Sequence, residues 1–199
     1  MPRRSAQQVR ATRDAVLRHS VEIASVHGLD GLSFGQIAGD MGLSKSGLAG
    51  YFASKTQWQL AVVEHARARF GEAVLQTGRE AADPEDSPLV RTCRAWLTYL
   101  EEPEFPGGCF FVAAASEFDG REGPVRDAIR AMFTDLRARL AELVAEHAAL
   151  SGRAMDPEQA AFELLATMVC LNHCLRLGTD PDAGARARRS LSALLDHRV

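Results

Sequence analysis

Apolar residues recur at three- and four-residue steps through most of the chain, and short alternating β-branched runs are missing. The pattern predicts helices rather than strands, so the expected fold class is all-α. Turn and cap residues set the boundaries. A first helix is expected from about Gln8 to His27, with Val16, Ile23 and Ala24 on one face and Gly28 and the Asp30-Gly31 turn closing it. Ser33 and Gln36 have capping-box spacing, Leu32 and Ile37 can form a hydrophobic staple around them, and a short helix, Phe34 to Met41, follows. Gly42 suits the left-handed position that ends it, and Ser44 can cap a third helix after a turn of about three residues. Ser54 with Gln57 repeats the capping-box spacing and starts a long helix, carrying Trp58, Leu60, Val62 and Val63, that is expected to reach about Ala81.

Beyond it, ADPEDSP is a loop by composition, and a helix from about Leu89 to Leu100 ends at the breaker cluster EEPEFPGG. CFFVAAASEF reads as a short apolar helix that stops before DGREG, where Asp119, Arg121 and Glu122 are better read as a turn than as a catalytic cluster. Pro124 opens an amphipathic helix with Val125, Ile129, Met132, Phe133, Leu136, Leu140, Leu143 and Val144 on its stripe. Asp156-Pro157 opens another, Glu158 to about Leu177, that is apolar on nearly every side. Such a helix needs cover on both faces: one can close a pocket and the other can meet a partner subunit. Gly178 and Asp180-Pro181 lead into a last helix with Leu191, Leu194 and Leu195.

With 199 residues the chain is long enough for one large domain, or for a small module joined to a larger one. Its net charge of -3 says little about partners until it is divided. The first 55 residues carry seven Lys or Arg against four Asp or Glu, so the basic end is the N-terminal one. No apolar run of signal-peptide length follows the basic start, and no uninterrupted apolar stretch of about 18 residues occurs. A cytoplasmic protein with no membrane partner is the default expectation. Cys93, Cys109, Cys170 and Cys174 lack framework spacing and read as reduced core thiols.

The elements from Phe34 to Phe52 have the spacing of a helix-turn-helix: small Ala38 permits close helix approach, Gly42 the sharp turn, and Leu48 the buried contact of the second helix. That second helix would enter the major groove of duplex DNA by its N-terminal residues. The stretch GLSFGQIAGDMGLSKSGLAGYFASKTQWQLAVV resembles the DNA-binding domain of TetR-family transcriptional regulators, over roughly residues 10 to 65. In that family the motif ends in a Tyr-x-x-Phe-like run and a Ser-Lys pair that starts the fourth helix. The chain departs from the usual pattern after its buried leucine, where Ala49 and Gly50 replace an aromatic residue and often a histidine. Each helical glycine costs about 1 kcal/mol relative to alanine, so this reading helix is expected to be short or pliable.

Ser44 caps that helix, and base readout falls chiefly to Lys45 and Ser46, with close backbone approach at Gly47 and a methyl contact from Ala49. The resemblance implies phosphate contacts from Ser33, Tyr51 and Lys55; for Tyr51 the alternative is a packing aromatic. Arg3, Arg4 and Arg10 suggest either a basic arm over DNA or a solvated terminus.

The resemblance further implies a DNA-binding domain over residues 1–55 and a helical effector-binding and dimerisation domain over 56–199. It implies a homodimer through the last two helices, matched to a pseudo-palindromic operator. An unidentified small-molecule effector is expected to release the DNA. Candidate effector residues are the aromatics Trp96, Tyr99, Phe110, Phe111, Phe133 and Phe162, together with Met168, Asn172 and His173, although each could equally be plain core. Cys170, His173 and Cys174 fall near one helix face, but no fourth ligand is marked, so no metal and no cofactor are expected. G-x-S-x-G, P-loop, dinucleotide and H-E-x-x-H signatures are absent, which argues against an enzyme. A regulator acting by protein contact alone remains the other reading.

Overall fold

Every regular element among the described residues (5–81, 86–197 and 199) of the computed structural model is helical. In order they are α1 (Ala6–His27), α2 (Phe34–Asp40), α3 (Lys45–Ala49), α4 (Lys55–Phe70), a π-helical segment (Gly71–Gln76), α5 (Thr77–Glu80), α6 (Pro88–Glu101), α7 (Phe110–Phe118), α8 (Pro124–Ser151), α9 (Pro157–Leu177) and α10 (Ala183–Leu195). The chain packs as two compact units, Met1–Arg67 with Phe105–Ile129, and Ala68–Glu104 with Arg130–Val199. Two of the three boundaries therefore fall inside α4 and α8, and the third, at 104/105, falls between α6 and α7.

In the first unit, α1 starts two residues earlier than its apolar pattern suggests, because Ser5 and Gln8 form a reciprocal capping box. Arg10 is thus a helical residue, and Arg3 and Arg4 lie outside the described residues. Gly28, at φ 82°, takes a conformation that L side chains avoid and returns its N–H to the Ala24 carbonyl, which closes the helix. The expected box at Ser33 and Gln36 does not form: Ser33 occupies the N-cap in extended conformation, but its hydroxyl makes no capping bond. Leu32 and Ile37, the expected staple, are both buried.

α3 spans only five residues, too few to be helical alone. Leu48, fully buried, holds it, since burial of such a side chain contributes about 1.5–3 kcal/mol. The buried core of this unit includes, with Leu48, Val16, Leu17 and Val21 of α1, Ile37 and Ala38 of α2, and Trp58 and Val62 of α4. The Trp58 ring stacks on Phe34 at 4.5 Å and on Phe52 at 6.0 Å. α7 completes this unit against α1, with Phe110, Phe111 and Phe118 buried. The loop before it approaches α1 so closely that Gly107 donates its N–H to Ser25 Oγ over 3.0 Å.

In the second unit the helix begun at Lys55 reaches Glu80, one residue short of expectation, but passes through a π-helical stretch that no local pattern announces. There the Thr77 N–H and hydroxyl both reach back five residues to the Glu72 carbonyl. Gly78 follows at a place where any β-carbon would lie 2.6 Å from Thr92 of α6. α6 also packs against α9 and α10. The C-terminal end of α10 is pinned by His147 of α8, whose Nε2 lies 3.1 Å from the Leu195 carbonyl while its Nδ1 meets Ser87 Oγ at 2.7 Å.

Asp156 caps α9 by accepting from the Glu158 and Gln159 amides, and Gly178 ends it. α9 is long and apolar enough by length and composition to cross a membrane, yet one face of it, Ala160, Ala161, Leu164, Met168, Leu171 and Asn172, is buried within the unit. The opposite face is open: Phe162 is 60% exposed and Leu177 74% exposed. Cys170 is also exposed there, which corrects its reading as a core thiol.

Candidate nucleic-acid interface

Ser44 sits in extended conformation ahead of α3 and accepts the Gly47 N–H on its hydroxyl at 3.0 Å. One orphan donor of the helix start is thereby satisfied. With Leu48 turned into the core, Lys45, Ser46, Gly47 and Ala49 are left exposed beside exposed Ser44. The side chain of Ser44 is thus committed to the backbone, with Ser46 Oγ 3.4 Å away. Gly47 carries its own constraint, because a β-carbon there would lie 2.9 Å from Ser44 Oγ. Tyr51 follows in a turn whose N–H returns to the Leu48 carbonyl; it is half-buried, its ring tilted against Phe52 at 6.5 Å.

Ser54 caps α4 by accepting the Gln57 N–H at 3.1 Å, as its spacing predicts. Lys55, the first residue of α4, points back to the α1–α2 turn. Its Nζ donates to the Asp30 carbonyl at 2.5 Å and lies 3.3 Å from Asp30 Oδ1. Arg121 reaches the other Asp30 oxygen at 3.0 Å. Arg121 first, and then Lys55, hold the Asp30 carboxyl below its ordinary 3.8. Glu117 of α7 fixes the same turn from the other side, accepting the Leu29 and Asp30 amides at 2.7 and 2.8 Å. Sequence reasoning missed Asp30, Glu117 and Arg121, which are joined across more than eighty residues with no local signal.

The candidate effector residues separate. Trp96 and Tyr99 are buried on α6 and meet the Phe70 ring edge-on, each at 5.4 Å. Met168 and Asn172 are buried on α9, and Phe133 is half-buried on α8. The indole N–H of Trp96 is buried with no hydrogen-bond partner among the described residues. Phe110 and Phe111 belong to the first unit. Phe162 and His173 lie on the exposed face of α9, outside the buried core of the protomer. A groove of about 310 Å³ runs between α9 and α10, lined in part by Cys170, Cys174, Asp180 and Arg186. Hydrogen bonding to Cys174 raises the Cys170 thiol above its ordinary value. Among the described residues no three His, Cys, Asp or Glu side chains come together as metal ligands would.

A family model described as "Tetracyclin repressor-like, C-terminal domain" matches residues 87–191. The HTH-type transcriptional repressor NicS of Pseudomonas putida is 34% identical over 103 residues, covering 50% of this chain and 47% of that relative. The chain thus matches about half the length of this curated relative. A TetR transcriptional regulator from Chloroflexus aurantiacus superposes with a TM-score of 0.77 at 22% identity, over 96% of this chain and 95% of that one. A TetR-family regulator from Cytophaga hutchinsonii gives 0.81 at 16% identity, over 100% and 99%. AibR, in complex with isovaleryl coenzyme A and operator DNA, gives 0.67 at 20% identity, over 94% and 97%. At these identities the structures speak for the fold alone.

Proposed function

Because the chain belongs to the tetracyclin repressor-like (TetR) family of transcriptional regulators, we propose that it is a dimeric repressor that binds a pseudo-palindromic operator and is released by a small molecule. The observation that carries this reading is α3, a capped helix with a single buried anchor and an otherwise exposed N-terminal end. Lys45 and Ser46 read base edges, Gly47 and Ala49 bring the backbone and a methyl group close, and Ser44 holds the helix start. Ser33, Tyr51 and Lys55 take phosphates. In functional terms residues 1–55 read DNA and residues 56–199 bind effector and partner.

The exposed face of α9, from Phe162 to Leu177, supports a two-fold interface made with α10. Phe162 and His173 belong to that face. The effector site is built instead around Trp96, Tyr99, Met168 and Asn172, where the unpaired Trp96 N–H favours a ligand carrying a hydrogen-bond acceptor. The ligand acts only through a difference in affinity between the DNA-competent and released states. Selection of binding sites from random duplex DNA, followed by titration of the recovered duplex at several salt concentrations, tests the reading. A steep salt dependence and an inverted-repeat consensus are expected. A folded, dimeric protein that retards no duplex at low salt would sink it.

A further inference from the structure

Two cations converge on Asp30. Lys55 Nζ stands 3.3 Å from Oδ1, and Arg121, from the turn that follows α7, stands 3.0 Å from Oδ2. The guanidinium of Arg121 is steadied by the Phe118 ring, 4.7 Å from its centroid. Two further groups face the carboxylate: Gln59, whose Nε2 is 3.4 Å from Oδ1, and Glu117, committed to the Leu29 and Asp30 amides. Counting Lys55, Arg121, Asp30 and Glu117, the cluster is neutral; without Arg121 it would carry one net negative charge. A DNA phosphate approaching Lys55 would then meet a carboxylate that has no other cation to hold it.

We propose that Arg121 is a positioning residue for the phosphate contact of Lys55: by holding one oxygen of Asp30, it keeps the Lys55 ammonium exchangeable to DNA. The inference rests on the reading that Lys55 meets a phosphate. Both cations lower the Asp30 carboxyl, through the hydrogen bond from Arg121 first and then that from Lys55, so the carboxylate is shared between them. Lys55, Asp30 and Arg121 are each partly exposed, so water screens both ion pairs, and the effect resides in the charge offered to the phosphate rather than in the stability of the fold. Glu117 and Arg121 both lie within the span matched by the C-terminal family model. Anything that displaces α7 therefore acts on Lys55 through Asp30.

The test is a double-mutant cycle in the full-length protein, read by fluorescence anisotropy with a duplex recovered by selection from random sequence. Arg121→Ala should weaken binding by about two- to fivefold, the range set by partly exposed charge pairs, and Arg121→Lys should restore most of it. Asp30→Asn should bind at least as tightly as the parent, and the double variant should match Asp30→Asn, because without the carboxylate Arg121 has nothing to hold. A double variant weaker than Asp30→Asn by the full factor of Arg121→Ala, with a salt slope reduced by about one, would make Arg121 a direct phosphate contact and overturn the proposal. It is also overturned if Lys55→Ala weakens binding while Arg121→Ala, with an unchanged melting temperature, does not. If Lys55→Ala itself binds as the parent does, the underlying phosphate reading fails and takes the proposal with it.

Discussion

Trp58 donates its indole N–H to Ser20 Oγ over 3.2 Å, and Ser20 Oγ donates onward to the Val16 carbonyl over 2.7 Å. A buried relay thus joins α4 to α1 within the first unit. Ser20→Ala strands the indole N–H in the core and should destabilise the protein by about 1–3 kcal/mol, the cost of one unsatisfied buried donor. Urea unfolding measures it, and an unchanged midpoint would mean that the relay contributes nothing.

Gly47 of α3 and Gly50 at its C-cap should respond in opposite ways. A β-carbon at Gly50 meets only the Gly47 and Ser46 carbonyls, at 3.4 and 3.5 Å, in a helical backbone. Gly50→Ala should therefore stabilise the fold by about 0.4–1 kcal/mol. Gly47→Ala drives its methyl against Ser44 Oγ and should cost about 1 kcal/mol through the lost cap, with weaker operator binding. Thermal melts paired with DNA titrations separate them; equal behaviour would contradict this geometry.

A stricter steric limit lies at Gly107, where an added β-carbon would fall 1.8 Å from the Ser25 carbonyl oxygen. Gly107→Ala has to push the loop off α1, and should lose about 3 kcal/mol or more together with DNA binding. Gly39→Ala on α2, whose β-carbon would meet nothing within 4 Å, is the matched control and should be more stable than the parent by about 0.4–1 kcal/mol, as for Gly50→Ala.

Thiol chemistry should divide along burial. Desolvation pushes the buried Cys93 thiol from its ordinary 9.0 up to about 12. A raised folded value means that its stabilising contribution is full below pH 9.0 and is lost between there and about pH 12. In the folded protomer freed of its partner, iodoacetamide should label Cys170, exposed on α9, and leave Cys93 untouched, as read by peptide mass mapping. Labelling of Cys93 at the same rate would deny its burial.

Phe162→Ser should leave the protomer's melting temperature within about 0.5 kcal/mol-equivalent of the parent, as expected of an exposed position. It should nevertheless shift the protein toward monomer in light scattering. An intact dimer would move the interface off this face of α9.

What was legible in the sequence was what is local. Ser44 to Gly47, Ser54 to Gln57 and Asp156 to Glu158 each close a cap within one helical turn, so spacing alone placed α3, α4 and α9. Spacing is permissive rather than decisive: Ser5 and Gln8 form the full box, while Ser33 and Gln36, at the same separation, do not. The π-helical stretch at Gly71 was invisible because no residue pattern distinguishes a five-residue reach from a four-residue one. Phe162 and Met168 looked alike in sequence since a core and a subunit interface both require apolar side chains, and only the fold turns one outward.

The segment Phe105–Ile129 packs with residues 1–67 yet lies inside the span matched by the C-terminal family model. The two halves of this regulator are therefore interleaved, and no single cut in the chain parts them. A chimera that joined residues 1–67 to the remainder of a relative would replace Glu117 with whatever that relative holds at this place, leaving the Leu29 and Asp30 amides to an unmatched acceptor. Exchanging the first unit between relatives thus calls for three junctions, at 67/68, 104/105 and 129/130, with α7 travelling alongside residues 1–67.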